Sequence, residues 1–239
     1  MIAVVGGAVY PPAACYEACD SAGMLVGQER MCACDMVPDD SAFIENGRQE
    51  AKEQVLRLRG HPCLALWCGN NEVAKAWRDW GWQYLYDLHG KDSARVELAA
   101  SHLFEEVLPE IVQEASDVAY WASSPSLPDS SGDVHAWGVW FGLEDWDHYS
   151  EHGGRFASEY GLQSLPNLHT LREAGILALD DEALQFRQRS RMDWLEPGFD
   201  GWDMMAHCMA KTVGLREAGN LEDWVTRSQR AQAEGRRQG

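Results

Sequence analysis

The chain has 239 residues, of which 45% are hydrophobic and 24% charged, as in an ordinary globular protein with one large domain or two small ones. Its 38 acidic and 20 basic side chains give a formal net charge of −18, which argues against binding to nucleic acid or to an anionic membrane. Its eleven tryptophans indicate either a heavy aromatic core or an aromatic-lined pocket.

Neither a membrane span nor a secretory signal is visible in the sequence. No apolar run approaches the ~20 residues that a spanning helix needs, and residues 1–5 lack the basic flank of a signal peptide. The seven cysteines form no regular framework, so we expect reduced thiols in a cytoplasmic protein. The pairs Cys15/Cys19 and Cys32/Cys34 lack partners at zinc-ligand spacing, so we expect no metal and no other cofactor. Metal binding through Cys32 and Cys34 remains a minor alternative.

Short apolar runs alternate with amphipathic helices along the chain. Predicted strands, in chain order, are residues 2–5, 24–26, 63–68, 118–121, 134–140 and 155–158. Predicted helices are residues 39–60, which begin with the N-cap types Asp39, Asp40 and Ser41, and a helix capped by Ser101 that runs to Ala115. Residues 180–239 read as helical and polar. Repeated βα units predict an α/β protein with a parallel sheet.

Two predicted strands run directly into acidic side chains. The strand at 63–68 is followed by Asn70, Asn71 and Glu72, and the strand at 155–158 by Glu159. The alternative is that the asparagines form a turn and that each glutamate lies at a helix start. Because active sites of parallel α/β proteins gather at the C-terminal ends of strands, both segments are candidate sites.

The spacing of the two glutamates indicates a reaction. Glu159 follows Glu72 by 87 residues, which is about three βα units of a (β/α)₈ barrel at ~31 residues per unit. Two carboxylates three strands apart lie across the mouth of a closed barrel. Retaining glycosidases need such a pair ~5 Å apart, one as nucleophile and the other as acid and then base.

Four ordered blocks resemble β-mannosidases of glycoside hydrolase family 2. Residues 58–72 resemble the acid/base segment, residues 155–164 resemble the nucleophile segment, and two further family blocks match residues 120–126 and 132–140. The resemblance covers about residues 4–170 and, more weakly, 220–233. It implies a (β/α)₈ TIM barrel and a retaining exo-β-mannosidase that releases terminal β-linked mannose from a small oligosaccharide or glycoside.

The resemblance also implies residue roles. Glu72 would be the general acid/base, Glu159 the nucleophile, and Asn71 a hydrogen-bond partner of the sugar 2-hydroxyl, which is axial in mannose. Trp121, His135 and Trp137 match pocket-lining positions of the family, and core packing is the alternative for each. Three tryptophans follow Glu72 in the chain, and each could either line the rim of a pocket or pack against a helix: Trp77, Trp80 and Trp82.

Several positions that border the sugar in the family are altered. Val5 and Gly27 stand where the family has tryptophan, Arg30 where it has phenylalanine, and Phe141 where it has histidine. Glu29 replaces an aspartate, and the extra methylene can move a hydrogen bond by more than catalysis tolerates, although we expect Glu29 to bind substrate. These changes are expected to affect affinity and turnover rather than the catalytic pair.

Family members are longer than this chain and carry β-sandwich domains. We expect residues 1–239 to form a partial catalytic barrel domain, with about strands two to seven present and the flanking sandwich domains absent, and to be poorly stable alone. A non-catalytic remnant that binds sugar and another family 2 exo-glycosidase, such as a β-glucosaminidase, remain open. The sequence leaves the oligomeric state unspecified.

Overall fold

The computed structural model describes residues 1–5, 7, 9–127, 131–190, 197–214 and 219–239. The chain divides into two compact units, Met1–Val134 and His135–Gly239. Gly6, Ala8, residues 128–130 and parts of the predicted helical stretch at 180–239 lie outside the described residues. Among the described helices, none is long and apolar enough to cross a lipid bilayer.

The first unit alternates strands and helices. Its strands are β1 (Ile2–Val4), β2 (Val26–Glu29), β3 (Leu64–Cys68) and β4 (Ala119–Trp121), and β5 (Asp133–Ala136) begins at its end. Its helices are α1 (Ala13–Ala22), α2 (Ser41–Leu58), α3 (Val73–Asp79), α4 (Trp82–Leu85), α5 (Lys91–Ser101) and α6 (Leu108–Ala115). Strands β1 to β4 form one parallel sheet in chain order, which confirms the predicted α/β class.

The second strand lies later in the chain than predicted. Met24 and Leu25, placed in it by their hydrophobicity, are exposed, whereas all four residues of β2 are buried. The polar Gln28 is accommodated because Tyr16 donates its hydroxyl to Gln28 Oε1, while Gln28 Nε2 donates to the carbonyl of Glu29 at 2.7 Å. Buried hydrogen bonds, which a hydrophobic pattern does not register, decide the position of this strand.

The helix predicted to start at Ser101 begins at Lys91. Ser101 is already helical (φ −60°, ψ −46°) and makes no capping hydrogen bond, so this prediction is wrong. A π-helical turn over His102–Val107 joins α5 to α6. Pro109 lies just after this turn and lacks the N–H that would bond to the carbonyl four residues earlier, which accounts for the irregularity. Asp40 does cap α2, accepting from Phe43 N at 2.8 Å.

Helices α1, α2 and α6 pack against the sheet. Tyr16, Leu58, Trp67 and Val112 are members of one buried cluster that joins these helices to β3. Trp67 is 1% exposed, so at least this tryptophan is a core residue.

Asp20, near the end of α1, ties that helix to the start of β3. His61 Nδ1 lies 2.7 Å from its carboxylate and Cys63 N donates to it at 2.8 Å, and these hydrogen bonds lower the pKa of Asp20. A pKa lowered by folding stabilises the protein above the pKa of the unfolded chain, and this contribution is lost as the pH falls through the folded pKa.

We therefore expect Asp20→Asn to lower the urea midpoint at about pH 6, and the difference from the parent protein to disappear once the pH has fallen through the folded pKa of Asp20. Urea titrations of both proteins across this range measure it. A difference that is the same at every pH would show that the charge of Asp20 is not involved.

In its described residues, the second unit contains the end of β5, β6 (Phe156–Tyr160) and six helices. These are α7 (Gly138–Phe141), α8 (His148–His152), α9 (Leu168–Glu173), α10 (Glu182–Arg187), α11 (Gly201–Val213) and α12 (Leu221–Gln238). Strands β5 and β6 form a two-stranded sheet, and within the described residues only helices follow β6. Helices α11 and α12 are core-forming rather than simply polar, since Met204, Met205, Cys208, Leu221 and Val225 are buried.

The strand predicted over 134–140 ends at Ala136. Trp137 has φ −92° and ψ 5°, and the chain turns there into the single helical turn α7. Val139 and Trp140 are buried in this turn, so their hydrophobicity reflects packing and not a strand. The next strand, β6, includes Glu159 and extends beyond it, so Glu159 lies within the strand rather than after it.

Candidate active site

The ends of three parallel strands meet at one edge of the first unit. The register pairs Glu29 with Cys68 and Cys68 with Trp121. Beyond β3, Asn71 forms parallel bridges to Ala33 on one side and Ser124 on the other. The structure therefore brings Glu29, Asn71 and Trp121, which the sequence assigned to substrate binding, to the same edge of the sheet.

Asn70 holds this edge together. Its Nδ2 donates to the carbonyl of Ala122 at 2.8 Å, and its Oδ1 accepts from Val73 N at 3.0 Å and from Ser123 Oγ at 2.8 Å. Asn70 is 1% exposed. The alternative interpretation, in which the asparagines form a turn, is thus correct for Asn70. Glu72 lies at the start of α3, as the same alternative predicts, but its side chain makes no capping hydrogen bond, and the bond to Val73 N comes from Asn70.

We expect Asn70→Ala to lower the free energy of unfolding by about 3 kcal/mol, because three buried hydrogen bonds are lost and their partners stay buried. Urea unfolding of the variant and of Asn46→Ala, an exposed asparagine of α2, measures it. A loss below about 1 kcal/mol would mean that other groups replace the missing amide.

Glu72 has an unusual backbone conformation. Its φ of 61° and ψ of 3° place it in the left-handed region, which costs a residue other than glycine about 1 kcal/mol or more. Glu72 N donates to the carbonyl of Ser124 at 2.7 Å, which fixes the turn. The neighbouring Cys34, also left-handed with φ 49°, donates its thiol to Glu72 Oε2 at 3.3 Å.

Asn71 carries a buried oxygen without a partner. The residue is 6% exposed, and its Nδ2 donates to Cys34 Sγ at 3.6 Å. Among the described residues its Oδ1 has no hydrogen-bond partner. Leaving an amide oxygen buried and unpaired costs free energy, and this atom is a candidate for pairing with a ligand hydroxyl.

Glu29 and Arg30, two positions at which this sequence differs from the family, both lie in contact with neighbouring groups. Glu29 is 3% exposed. The pKa of the neighbouring Cys68 thiol is raised, first by the burial of that thiol and then by the negative charge of Glu29. Arg30 reaches helix α2, where it donates to the carbonyl of Gly47 at 3.0 Å and pairs with Glu50 at 3.1 Å. The guanidinium is thus engaged with a helix.

The second unit brings three further site candidates together. Trp137 Nε1 donates to Glu159 Oε2 at 3.1 Å, and His135 Nδ1 lies 3.2 Å from the same oxygen. The side chains of His135 and Glu159 are 4% and 11% exposed. Two nitrogens that converge on one carboxylate oxygen orient it and stabilise its negative charge.

Each unit also has a cavity. In the first unit, a cavity of about 730 Å³ is lined by Trp77 and Trp82 but not by Glu72, and its volume lies within the ~300–1,000 Å³ typical of small-molecule sites. Trp80 is 45% exposed and contacts Trp82 edge to face. In the second unit, Trp137, Phe141 and Tyr160 line a cavity of about 410 Å³.

Cys34 was missed as a site candidate because its contact with Glu72 joins residues 38 apart in the chain. The sequence pattern indicated only a possible metal ligand at this position. No cysteine belongs to a group of three potential metal ligands in the part of the chain that the structure describes.

Comparison with known proteins shows which class of protein the chain resembles. The chain is homologous to β-mannosidases along nearly its whole length, which confirms the resemblance recognised in the sequence. No protein-family model matches the chain.

Two relatives and one solved structure illustrate the similarity. β-Mannosidase B of Neosartorya fischeri is 31% identical over 98% of this chain, and that of Thermothelomyces thermophilus is 34% identical over 81%. The crystal structure of β-D-mannosidase from Dictyoglomus thermophilum matches 99% of this chain with a TM-score of 0.74 and 28% identity. The chain spans only 28%, 24% and 28% of these proteins, respectively.

Proposed function

We propose that this chain is a β-mannosidase-like glycoside hydrolase that releases terminal β-D-mannose with retention of configuration, and that its βα units belong to a (β/α)₈ barrel. The observation that carries the proposal is the setting of Glu159, whose carboxylate is oriented by Trp137 and His135 in a chain homologous to β-mannosidases. The parallel sheet with polar strand ends supports the barrel.

In the first chemical step, a carboxylate oxygen of Glu159 attacks the anomeric carbon. The bond from that carbon to the aglycone oxygen breaks as Glu72 gives this oxygen its proton, leaving a mannosyl ester on Glu159. In the second step, Glu72 takes a proton from water, and the resulting attack on the anomeric carbon frees mannose and Glu159. Two inversions give overall retention.

The remaining candidates act on substrate binding. The unpaired Oδ1 of Asn71 can accept a hydrogen bond from the axial 2-hydroxyl of the sugar. This interaction strengthens toward the transition state. Glu29 and Trp121 lie at the same strand edge, where a carboxylate accepts from a hydroxyl and an indole face covers the C–H face of a sugar.

Release of nitrophenol from a nitrophenyl β-mannoside by the 239-residue protein tests the proposal. We expect hydrolysis with the β-mannoside and little with the β-glucoside, whose 2-hydroxyl is equatorial. Proton NMR of the first-formed sugar should show the β-anomer, because configuration is retained. The α-anomer as first product would contradict the mechanism.

The second candidate is a non-catalytic sugar-binding protein, favoured by the altered positions such as Phe141, which lines a cavity where the family has histidine. Calorimetric titration with mannose separates the two. Binding without turnover of the nitrophenyl β-mannoside would establish the second candidate and reject the first.

A further inference from the structure

We propose that His148 is a positioning residue for the nucleophile. Together with Glu144 it anchors the backbone amide of Gly138 and thereby holds the Trp137 indole against Glu159. The inference rests on the proposed function only in naming Glu159 the nucleophile, and all five residues lie in the second unit.

The hydrogen bonds around His148 define its tautomer. Gly138 N donates to His148 Nε2 at 3.2 Å, so this nitrogen carries no proton. We therefore assign the proton to Nδ1, which donates to Glu144 Oε2 at 2.6 Å. The His148 side chain is only 12% exposed, whereas that of Glu144 is 53% exposed. A partly solvated carboxylate thus orients a largely buried imidazole, and this imidazole accepts a hydrogen bond from a backbone N–H.

The acceptor matters because of where Gly138 lies. It is the first residue of α7, and the N–H groups at the start of a helix have no partner within the helix. A Cβ at residue 138 would overlap the His148 ring, so the close approach requires glycine here. His148 therefore satisfies an otherwise orphaned donor by lying directly on the backbone.

The anchor reaches Glu159 through one rigid unit. Gly138 N and the Trp137 carbonyl belong to the same planar peptide group, so fixing one fixes the other. That carbonyl accepts from Phe141 N at 2.8 Å, which closes the turn on the far side. The Trp137 indole then donates to Glu159 Oε2 at 3.1 Å. A displacement of the peptide moves the donor that orients the nucleophile.

A metal site is the competing interpretation of this cluster. Ligand atoms of Glu144, His148 and His152 lie within 4.8 Å of one another, and these residue types bind zinc. Both nitrogens of His148, however, already make hydrogen bonds. A metal at Nδ1 would place the proton of the neutral imidazole on Nε2, where it would oppose the Gly138 N–H and leave that donor without an acceptor. The arrangement fits a hydrogen-bonded anchor.

The test compares His148→Ala, His148→Gln and Glu144→Ala with His169→Ala. His169 and Glu173 form an exposed histidine–glutamate pair at 3.5 Å, which makes His169 a matched control. The indole N–H signal of Trp137 in a nitrogen–proton NMR spectrum, assigned with Trp137→Phe, reports the bond to Glu159 whether or not the protein is a hydrolase. Turnover of two aryl β-mannosides with different leaving groups reports the nucleophile.

We expect His148→Ala to shift the Trp137 signal and to lower kcat by about 10- to 100-fold, equally for both leaving groups and with little change in KM. His148→Gln, which keeps an acceptor, should restore part of both, Glu144→Ala should give a smaller effect, and His169→Ala should give none. If His148→Ala does not fold, Glu144→Ala and His148→Gln carry the comparison.

An unmoved Trp137 signal in folded variants would overturn the proposal, as would zinc binding in calorimetry that is lost in His152→Ala. If the parent protein hydrolyses no mannoside while the Trp137 signal still shifts, the proposed function fails and the positioning role stands.

Discussion

Glu159→Gln is expected to lower kcat for nitrophenyl β-mannoside by on the order of 10⁴- to 10⁶-fold, the range typical of removing a nucleophile from an enzyme that works through a covalent intermediate. Glutamine has nearly the same shape and can still accept from Trp137, so the expected loss reflects nucleophilicity and not packing. Steady-state kinetics and mass spectrometry measure it. The parent protein should accumulate a covalent adduct with a slow fluorinated mannoside, and the variant should not.

The matched control is Glu151→Gln, the same change at an exposed position of α8. It should leave kcat within about twofold of the parent value. If Glu159→Gln retains more than about 1% of the activity, another group is the nucleophile and the assignment of Glu159 is rejected.

Glu72→Ala is expected to have an effect that depends on the leaving group. For a phenyl β-mannoside, whose aglycone leaves only with a proton, we expect kcat/KM to fall by about 10²- to 10⁴-fold. For a dinitrophenyl β-mannoside, whose aglycone leaves as a stable anion, the first step should be nearly unaffected and the second step should become limiting. Kinetics with both substrates give the ratio.

Added azide supplies an independent check on Glu72. This anion attacks the mannosyl intermediate without needing a base, so it should accelerate Glu72→Ala and yield β-mannosyl azide, while leaving Glu114→Ala, an exposed control on α6, unchanged. Equal losses for both leaving groups and no response to azide would show that Glu72 is not the acid/base.

The fold class could be predicted from the sequence, whereas the boundaries of several strands could not. Periodicity predicted α2 and β3 because apolar spacing and capping residues agreed. It misplaced β2, whose position depends on the buried hydrogen bond between Tyr16 and Gln28, and it extended β5 through Trp137, where the chain turns into a helix. Long-range polar contacts and isolated helical turns leave no periodic signal.

The individual residues of the candidate site could be predicted from the sequence, but the contacts between them could not. Carboxylates after buried strands marked Glu72 and Glu159 as candidates. Nothing in the spacing indicated that Asn70, rather than Glu72, makes the bond to the first turn of α3. The His148–Glu144 pair has helical i, i+4 spacing, yet its contact with Gly138 depends on tertiary packing.

The left-handed backbone of Glu72 bears on the choice between an enzyme and a sugar-binding remnant. Asparagine and glycine adopt this conformation at lower cost, so Glu72→Asn should fold at least as stably as the parent. A lineage that no longer needed the carboxylate would have been free to take such a substitution. The cost of holding a glutamate in this conformation is what we expect if its carboxylate serves as the proposed acid/base.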